Sequence, residues 1–213
     1  MENLILPGGD LAGLASKSAA AKTPGMTDAD VIQIFRKSGA LLEGHFVLRS
    51  GLHSRQFFQC ALALQQMPDV EKLGAALAGK LKHLGATTVI APAMGGLVIG
   101  QEVARQLGLR FIFAEKEEGT LVLRRNFKIQ PGETLLVIED VVTKGGRAQE
   151  TMAIVRDNGG IVAGVGMVVD RSNGVAPLGV PTFSLLALKV ETFDPANLPP
   201  DLAGTPAIKP GSK

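Results

Sequence analysis

The sequence predicts an α/β fold, a mostly parallel central sheet flanked by helices. Two observations carry this. Between residues 87 and 188, short apolar runs alternate with segments of helical spacing, the order strand, helix, strand repeating through the chain. Three of the apolar runs also stop at unusual chemistry: at Pro92-Ala93-Met94-Gly95-Gly96, at Glu139 through to Gly146, and at Asp170-Arg171. In open parallel sheets ligands bind beyond the carboxyl ends of the strands, so these three loops converge on one cleft.

The elements follow in order. Thr27-Asp28-Ala29-Asp30 reads as a helix start, with Thr27 capping and Asp30 reaching back. Val31, Ile34 and Phe35 fall at helical spacing and Gly39 is the stop. Residues 44–49 read as a short strand, Phe46 and Leu48 on one face, Val47 and Arg49 on the other. Gly51-Leu52-His53-Ser54 turns the chain. Phe57 and Phe58 are then adjacent, so in a strand one joins the core and the other faces a cleft or a neighbouring lobe. Pro68 opens a helix with an apolar stripe at Val70, Leu73, Leu77 and Leu81, ended by Gly85. Residues 87–91 are a buried strand. A helix is expected from about Leu97 to Leu107, stopped by Gly108, and a strand over 109–114. Residues 115–126 are charged and lack a clean period in their first half, with a ribbon strand possible at 121–125. After a turn at Pro131-Gly132 comes the central strand, then a helix over 146–158, a long strand over 161–169 and a last one over 182–188.

Composition narrows the class. With 213 residues, 46% of them apolar, one domain with a sizeable core is expected. The first 26 residues, rich in Gly, Ala and Ser, read as a loosely ordered leader, 27–195 as the folded unit, and the proline-rich 196–213 as an irregular tail. A net charge of +2 makes no case for nucleic acid. No apolar run approaches the roughly 20 residues of a membrane span. Cys60 is the single cysteine, so no internal disulfide forms and a reducing cytoplasm is the default. In its apolar setting it reads as a buried structural thiol rather than a nucleophile.

The stretch Leu135-Leu136-Val137-Ile138-Glu139-Asp140-Val141-Val142-Thr143-Lys144-Gly145-Gly146-Arg147 holds most of the chemistry. A buried strand runs into two carboxylates, a glycine loop and a helix start. Backbone N–H groups at a helix N-terminus favour a phosphate. Two adjacent carboxylates in apolar surroundings are costly unless hydroxyls, cations or other partners meet them. A sugar phosphate supplies what both parts need. Gly95-Gly96 by itself reads better as a tight turn with no ligand, and Asp170-Arg171 alone could be a surface ion pair and Arg124-Arg125 a solvated charge pair. Neither GxGxxG nor GxxxxGK[ST] occurs in a fitting context, which argues against a dinucleotide fold and a Walker-type NTPase.

Residues 137–147 resemble the phosphoribosyl pyrophosphate (PRPP) motif of type I phosphoribosyltransferases. Leu42-Glu43-Gly44-His45-Phe46-Val47-Leu48-Arg49-Ser50-Gly51-Leu52-His53-Ser54, Phe57-Phe58, Ala91-Pro92-Ala93-Met94-Gly95-Gly96 and Val169-Asp170-Arg171 are similar to the orotate phosphoribosyltransferase family, in the same order along the chain. The resemblance implies a type I fold with a small hood formed by the N- and C-terminal segments, and conversion of orotate and PRPP to orotidine 5′-monophosphate and pyrophosphate. It implies that Glu139 and Asp140 hold the ribose hydroxyls. Val141, Val142, Thr143, Lys144, Gly145, Gly146 and Arg147 would enclose the 5′-phosphate, with the Thr143 hydroxyl near that phosphate or the orotate. Ala93, Met94, Gly95 and Gly96 would form the pyrophosphate loop. Phe57, Phe58 and Arg171 would meet orotate, and Arg49 and Lys116 would contact PRPP. Lys116 would act from a mobile loop shared across a homodimer. Mg²⁺ would be bound mainly through the pyrophosphate of PRPP, not by a dedicated protein cage.

Some positions depart from the family pattern. Lys144 and Arg147 stand where small residues are usual, Met94-Gly95 where some members carry a lysine, and the loop around Lys116 is acidic at Glu115, Glu117 and Glu118, leaving Lys116 with Arg124 or Arg125 to compensate. The competing functions are a phosphoribosyltransferase for uracil or a purine, and a PRPP-binding regulatory protein without catalysis.

Overall fold

The structure, a computed structural model, describes residues 25–48, 50–172, 174, 176 and 178–210. Arg49 and the leader up to residue 24 lie outside the described residues. Helix α1 (Asp28–Lys37) opens with the expected capping box: the Asp30 N–H donates to Thr27 Oγ1, and the Thr27 N–H to Asp30 Oδ2. Strands β1 (Leu41–Val47) and β2 (His53–Phe58) form a separate antiparallel pair. A short α2 (Cys60–Ala63) leads into α3 (Met67–Leu81). Then follow β3 (Thr88–Pro92), α4 (Gly95–Leu107), β4 (Arg110–Glu117), β5 (Thr120–Leu123), β6 (Thr134–Val142), α5 (Gly146–Asp157), β7 (Ile161–Asp170), β8 (Thr182–Ala187) and α6 (Pro200–Ala203).

Six strands make one sheet in the order β5-β4-β3-β6-β7-β8. All neighbours are parallel except β4 and β5. Side chains alternate across it. On β6, Leu136 and Ile138 join Leu73 and Leu77 of α3 and Ile99 and Val103 of α4 in one core; Leu135 and Val137 join Met152 and Val155 of α5 in the other. The sheet is thus covered on both faces, which is why its central strands read as unbroken apolar runs.

Four elements differ from the sequence reading, each for a local reason. β6 does not stop at its carboxylates: Val141 and Val142 continue the ladder opposite Val169 and Asp170 of β7. α4 starts at Gly95, not near Leu97, so the two glycines occupy its first turn. β1 begins at Leu41 and ends at Val47, in register with Phe58 and His53, so Leu48 falls beyond it. The charged stretch 115–126 contains a hairpin: β4 runs on to Glu117, with Lys116 opposite Leu121 of β5, and the turn is made by Glu118 and Gly119 at positive φ.

The hood is built by contacts distant in sequence. Phe193 bridges His53 and Ile208 bridges Phe46, so the chain after β8 runs along the β1–β2 pair. The Arg55 guanidinium forks onto Asp201 at 2.8 and 2.9 Å, reaches Glu191 at 2.9 Å and lies over the Phe193 ring. Among the described residues no helix is long and apolar enough to cross a membrane.

Close packing of α4 on β3 depends on Gly100. A Cβ there would lie 2.7 Å from Ala91 Cβ and 3.0 Å from the Phe111 ring. Gly100→Ala should therefore lower stability by about 1 kcal/mol or more, overpacking outweighing the helix preference for alanine. Urea unfolding checks this; an unchanged or higher midpoint would mean that α4 sits farther from the sheet.

Candidate active site

Strand direction places the site. β3, β6 and β7 are parallel neighbours, so residues 93–96, residues 143–147 and Arg171 leave the sheet at one edge. The period of two splits the carboxylate pair. Asp140 continues the row of Leu136 and Ile138 toward α4, and Glu139 continues the row of Leu135 and Val137 toward α5. Asp140 accordingly lies against the first turn of α4: a Cβ on Gly95 would come within 2.6 Å of Asp140 Oδ1, so a side chain there would displace the carboxylate. Glu139 lines a recess of about 70 Å³ with Val141, Val142, Thr143, Gly145, Gly146, Arg147 and Ala148.

That recess is an anion cradle. α5 begins at Gly146 after Gly145 at φ 82, with no capping side chain and no acidic residue in its first turn. Its first N–H groups are therefore aimed at the recess with the positive end of the helix dipole behind them. Lys144 is exposed and does not line the recess. α4 also starts without a side-chain cap, so a second helix N-terminus lies on the Asp140 side. The Arg147 guanidinium joins the two loops by donating to the Ala93 carbonyl oxygen at 3.1 Å.

The electrostatics are unrelieved. Glu139 is 2% exposed and its Oε2 has no hydrogen-bond partner. Burial, and then the charge of Asp140, push the Glu139 carboxyl up to about 8, while Arg147 pulls it down. Burial also raises Asp140, whose Oδ1 accepts only a local bond from the Val141 N–H among its described partners. Buried acceptors without donors are what a ligand with hydroxyl groups would satisfy. Arg171 gives the converse case. Its Nε is buried and unpartnered, and desolvation lowers its pKa. Asp170 Oδ1 accepts from the Ser172 N–H at 2.7 Å, and the alternative of a surface Asp170–Arg171 ion pair is not what holds this corner.

The hood reaches the same edge. Cys60 Sγ lies 4.0 Å from the Asp140 carbonyl oxygen, and burial pushes its thiol pKa well up, as a structural cysteine requires. Two residues earlier Phe58 is buried and stacked on Phe35 at 4.5 Å, whereas Phe57 is half-buried and 5.8 Å from Phe46. Of the adjacent pair, one is core and the other borders open space. Lys116 is exposed on the β4–β5 hairpin and lines no part of the recess. Arg124 and Arg125 are engaged within that hairpin by Glu115 and Glu117 at 3.0 to 3.6 Å. Met94 is 77% exposed between Ala93 and the start of α4. A larger cavity of about 880 Å³ between α1 and α3 shares no residue with this site.

Sequence reasoning missed three features here: the Gly95–Asp140 approach, the Arg147–Ala93 bond and the Cys60–Asp140 contact. Only the first left a trace, a glycine pair just after an apolar strand.

The comparisons agree with this geometry. Residues 61–185 match the family model described as "Phosphoribosyl transferase domain". The orotate phosphoribosyltransferase of Desulforamulus reducens is 52% identical over 188 residues, 88% of this chain and 98% of that protein. That of Pelotomaculum thermopropionicum is 50% identical, covering 88% and 99%. The crystal structure of orotate phosphoribosyltransferase from Aeropyrum pernix superposes with a TM-score of 0.63 at 25% identity, over 74% of this chain and 93% of that one. A parallel sheet ending in an acidic pair, an anion cradle and a desolvated arginine, with half or more of the aligned residues identical to the first two of these relatives, places the chain in the orotate phosphoribosyltransferase family of phosphoribosyl transferases.

Proposed function

We propose that the chain transfers the 5-phosphoribosyl group of PRPP to orotate, forming orotidine 5′-monophosphate and pyrophosphate in de novo UMP synthesis. The observation that carries this is a pair of buried, unpartnered polar atoms at neighbouring strand ends, Glu139 Oε2 and Arg171 Nε. One is an acceptor suited to a ribose hydroxyl; the other is a donor suited to a carboxylate. The relatives named above support the same substrates.

In this reading Glu139 and Asp140 hold the ribose 2′- and 3′-hydroxyls, one from each side of β6. The N–H groups of residues 143–147 bind the 5′-phosphate, Val141 and Val142 wall the recess, and the Thr143 hydroxyl borders phosphate and base. Arg171 binds the orotate carboxylate in the planar geometry a guanidinium favours. Phe57 flanks the pyrimidine ring, anchored by Phe58 in the core behind it. Residues 93–96 receive the pyrophosphate and Arg49 contacts PRPP. Orotate N1 attacks the anomeric carbon as its bond to the pyrophosphate oxygen breaks. Asp140 and Glu139 lie where positive charge develops on the ribose, so the chain contributes positioning and charge stabilisation.

Magnesium fits this donor set. Two desolvated carboxylates border an anion-binding turn, and no group of three or more His, Cys, Asp or Glu among the described residues could hold a metal by itself. The ion would be carried mainly by pyrophosphate oxygens, facing residues 93–96 and Asp140. When bound, it neutralises charge on the leaving group. Lys116, set on a hairpin apart from its own recess, serves the site of a neighbouring subunit in a homodimer. A single buried cysteine suits a cytoplasmic setting.

Supplied with PRPP and Mg²⁺, the purified protein should release pyrophosphate with orotate and not with uracil or hypoxanthine. Turnover with uracil instead would overturn the reading, and PRPP binding by calorimetry without turnover would favour a regulatory role. Arg171→Ala should raise the KM for orotate roughly ten- to a hundredfold, the range for a lost charge-assisted hydrogen bond, and leave the KM for PRPP within about threefold. Equal changes in both would remove Arg171 from the base site.

The raised carboxyl makes a separate prediction. A glutamate whose folded pKa is about 8, against an ordinary 4.5, binds its proton more tightly in the folded state. The cost of ionising it in the folded state is therefore absent below pH 4.5 and erodes stability progressively as pH rises toward 8. Ligand-free Glu139→Gln should melt higher than wild type at pH 8.5, with the gap closing by pH 4.5, and should bind PRPP more weakly at both. A gap independent of pH would show that Glu139 is not held neutral by its surroundings.

A further inference from the structure

We infer that the Arg147 side chain is a pyrophosphate ligand that ties the two anion-binding loops together, a role that rests on the PRPP reading above and goes beyond the backbone contact assigned there to the 5′-phosphate. Its position is otherwise hard to justify. Arg147 is the second residue of α5, where a cation opposes the helix dipole and no acidic residue in the first turn offsets it. Although the residue is exposed, its guanidinium has a partner. It crosses from the α5 end of the site to the α4 end and donates to the Ala93 carbonyl oxygen at 3.1 Å. Ala93 is the first residue after β3 and belongs to the turn that leads into α4.

The surroundings indicate what this cation meets. Glu139, 2% exposed with Oε2 unpartnered, lines the recess to which Arg147 also contributes, and Asp140 lies against the first turn of α4. Arg147 is close enough to both carboxylates to pull their pKa values down. A guanidinium has five N–H donors in a fixed fork, and a single bond to a carbonyl leaves the fork able to meet phosphate oxygens. PRPP spans this distance: its 5′-phosphate belongs in the α5 cradle and its pyrophosphate at the α4 turn. The Ala93 bond directs the Arg147 fork to the pyrophosphate end. Lys144 makes a useful contrast: both residues are exposed, but only Arg147 lines the recess.

The test is binding by calorimetry of three probes in Mg²⁺: PRPP, inorganic pyrophosphate, and ribose 5-phosphate, which has the 5′-phosphate and hydroxyls but no pyrophosphate. Arg147→Ala should weaken pyrophosphate and PRPP roughly ten- to a hundredfold and ribose 5-phosphate less than about threefold. Arg147→Lys, which keeps the charge and loses the fork, should show the same split at smaller size, and stands in if the alanine variant fails to fold. Equal weakening of pyrophosphate and ribose 5-phosphate would assign Arg147 to the 5′-phosphate cradle and overturn the inference. So would unchanged binding of all three by a variant of a protein whose wild type binds them. A wild type that binds neither PRPP nor pyrophosphate would sink the functional reading itself, and this inference with it.

Discussion

Two like charges on consecutive residues of a buried strand are the constraint around which the site is arranged. In an apolar sheet a carboxylate loses its hydration, and a second one beside it adds repulsion. The strand period relieves part of this by sending Asp140 toward α4 and Glu139 toward α5. What remains is met from outside the strand. Two uncapped helix N-termini lie on the two sides, and one guanidinium bridges them. Even so Glu139 Oε2 has no donor and its carboxyl is raised to about 8. The protein keeps a local cost that a bound sugar phosphate would remove, as functional sites commonly do.

The same constraint explains where the fold tolerates no side chain. Gly96 has to be bare because the Ile138 carbonyl oxygen would be 2.7 Å from its Cβ, and a side chain at Gly95 would push the Asp140 carboxylate aside. Both approaches bring α4 down onto the end of β6, which aligns its N-terminus with the carboxylates. A bulkier residue at Gly96 would lift the helix off the sheet and separate the two anion-binding turns. Packing and function are here one requirement, seen first as a glycine pair and then as a distance.

Much of this was legible in the sequence because it is local. Apolar runs, helical stripes and the Thr27 capping box depend on residues within a few positions of each other, and they appear where the spacing put them. The order of motifs, from Phe57-Phe58 through to Arg171, pointed to the family. The extent of β6 was not legible, because two carboxylates look like a strand end; the ladder to β7 decides it, and that partner begins some twenty residues later. The hairpin at Lys116 was obscured because the end of β4 is a run of charges, Glu115-Lys116-Glu117, and its strand form is set by backbone pairing with β5. The hood was hidden more deeply. Arg55 and Asp201 are 146 positions apart and His45 and Thr205 are 160 apart, and no periodicity encodes such pairs.

The acidity of the hairpin, which stands out as a departure in the sequence, has a physical reading once the ion pairs are known. Glu115 and Glu117 hold Arg124 and Arg125 close to β4, and Lys116 enters none of these pairs among the described residues. Such pairs are half-exposed or more on the arginine side, a setting in which each contributes only about 0 to 1 kcal/mol. A multiply charged anion such as pyrophosphate competes readily with a carboxylate held so weakly. On the proposed reading the glutamates therefore do not cancel the arginines. They hold two flexible cations against the end of β4, so that less side-chain entropy remains to be lost when an anion arrives. Lys116 stays uncommitted beside them, and the charge available to a neighbouring site is greater than the acidic composition of the loop implies.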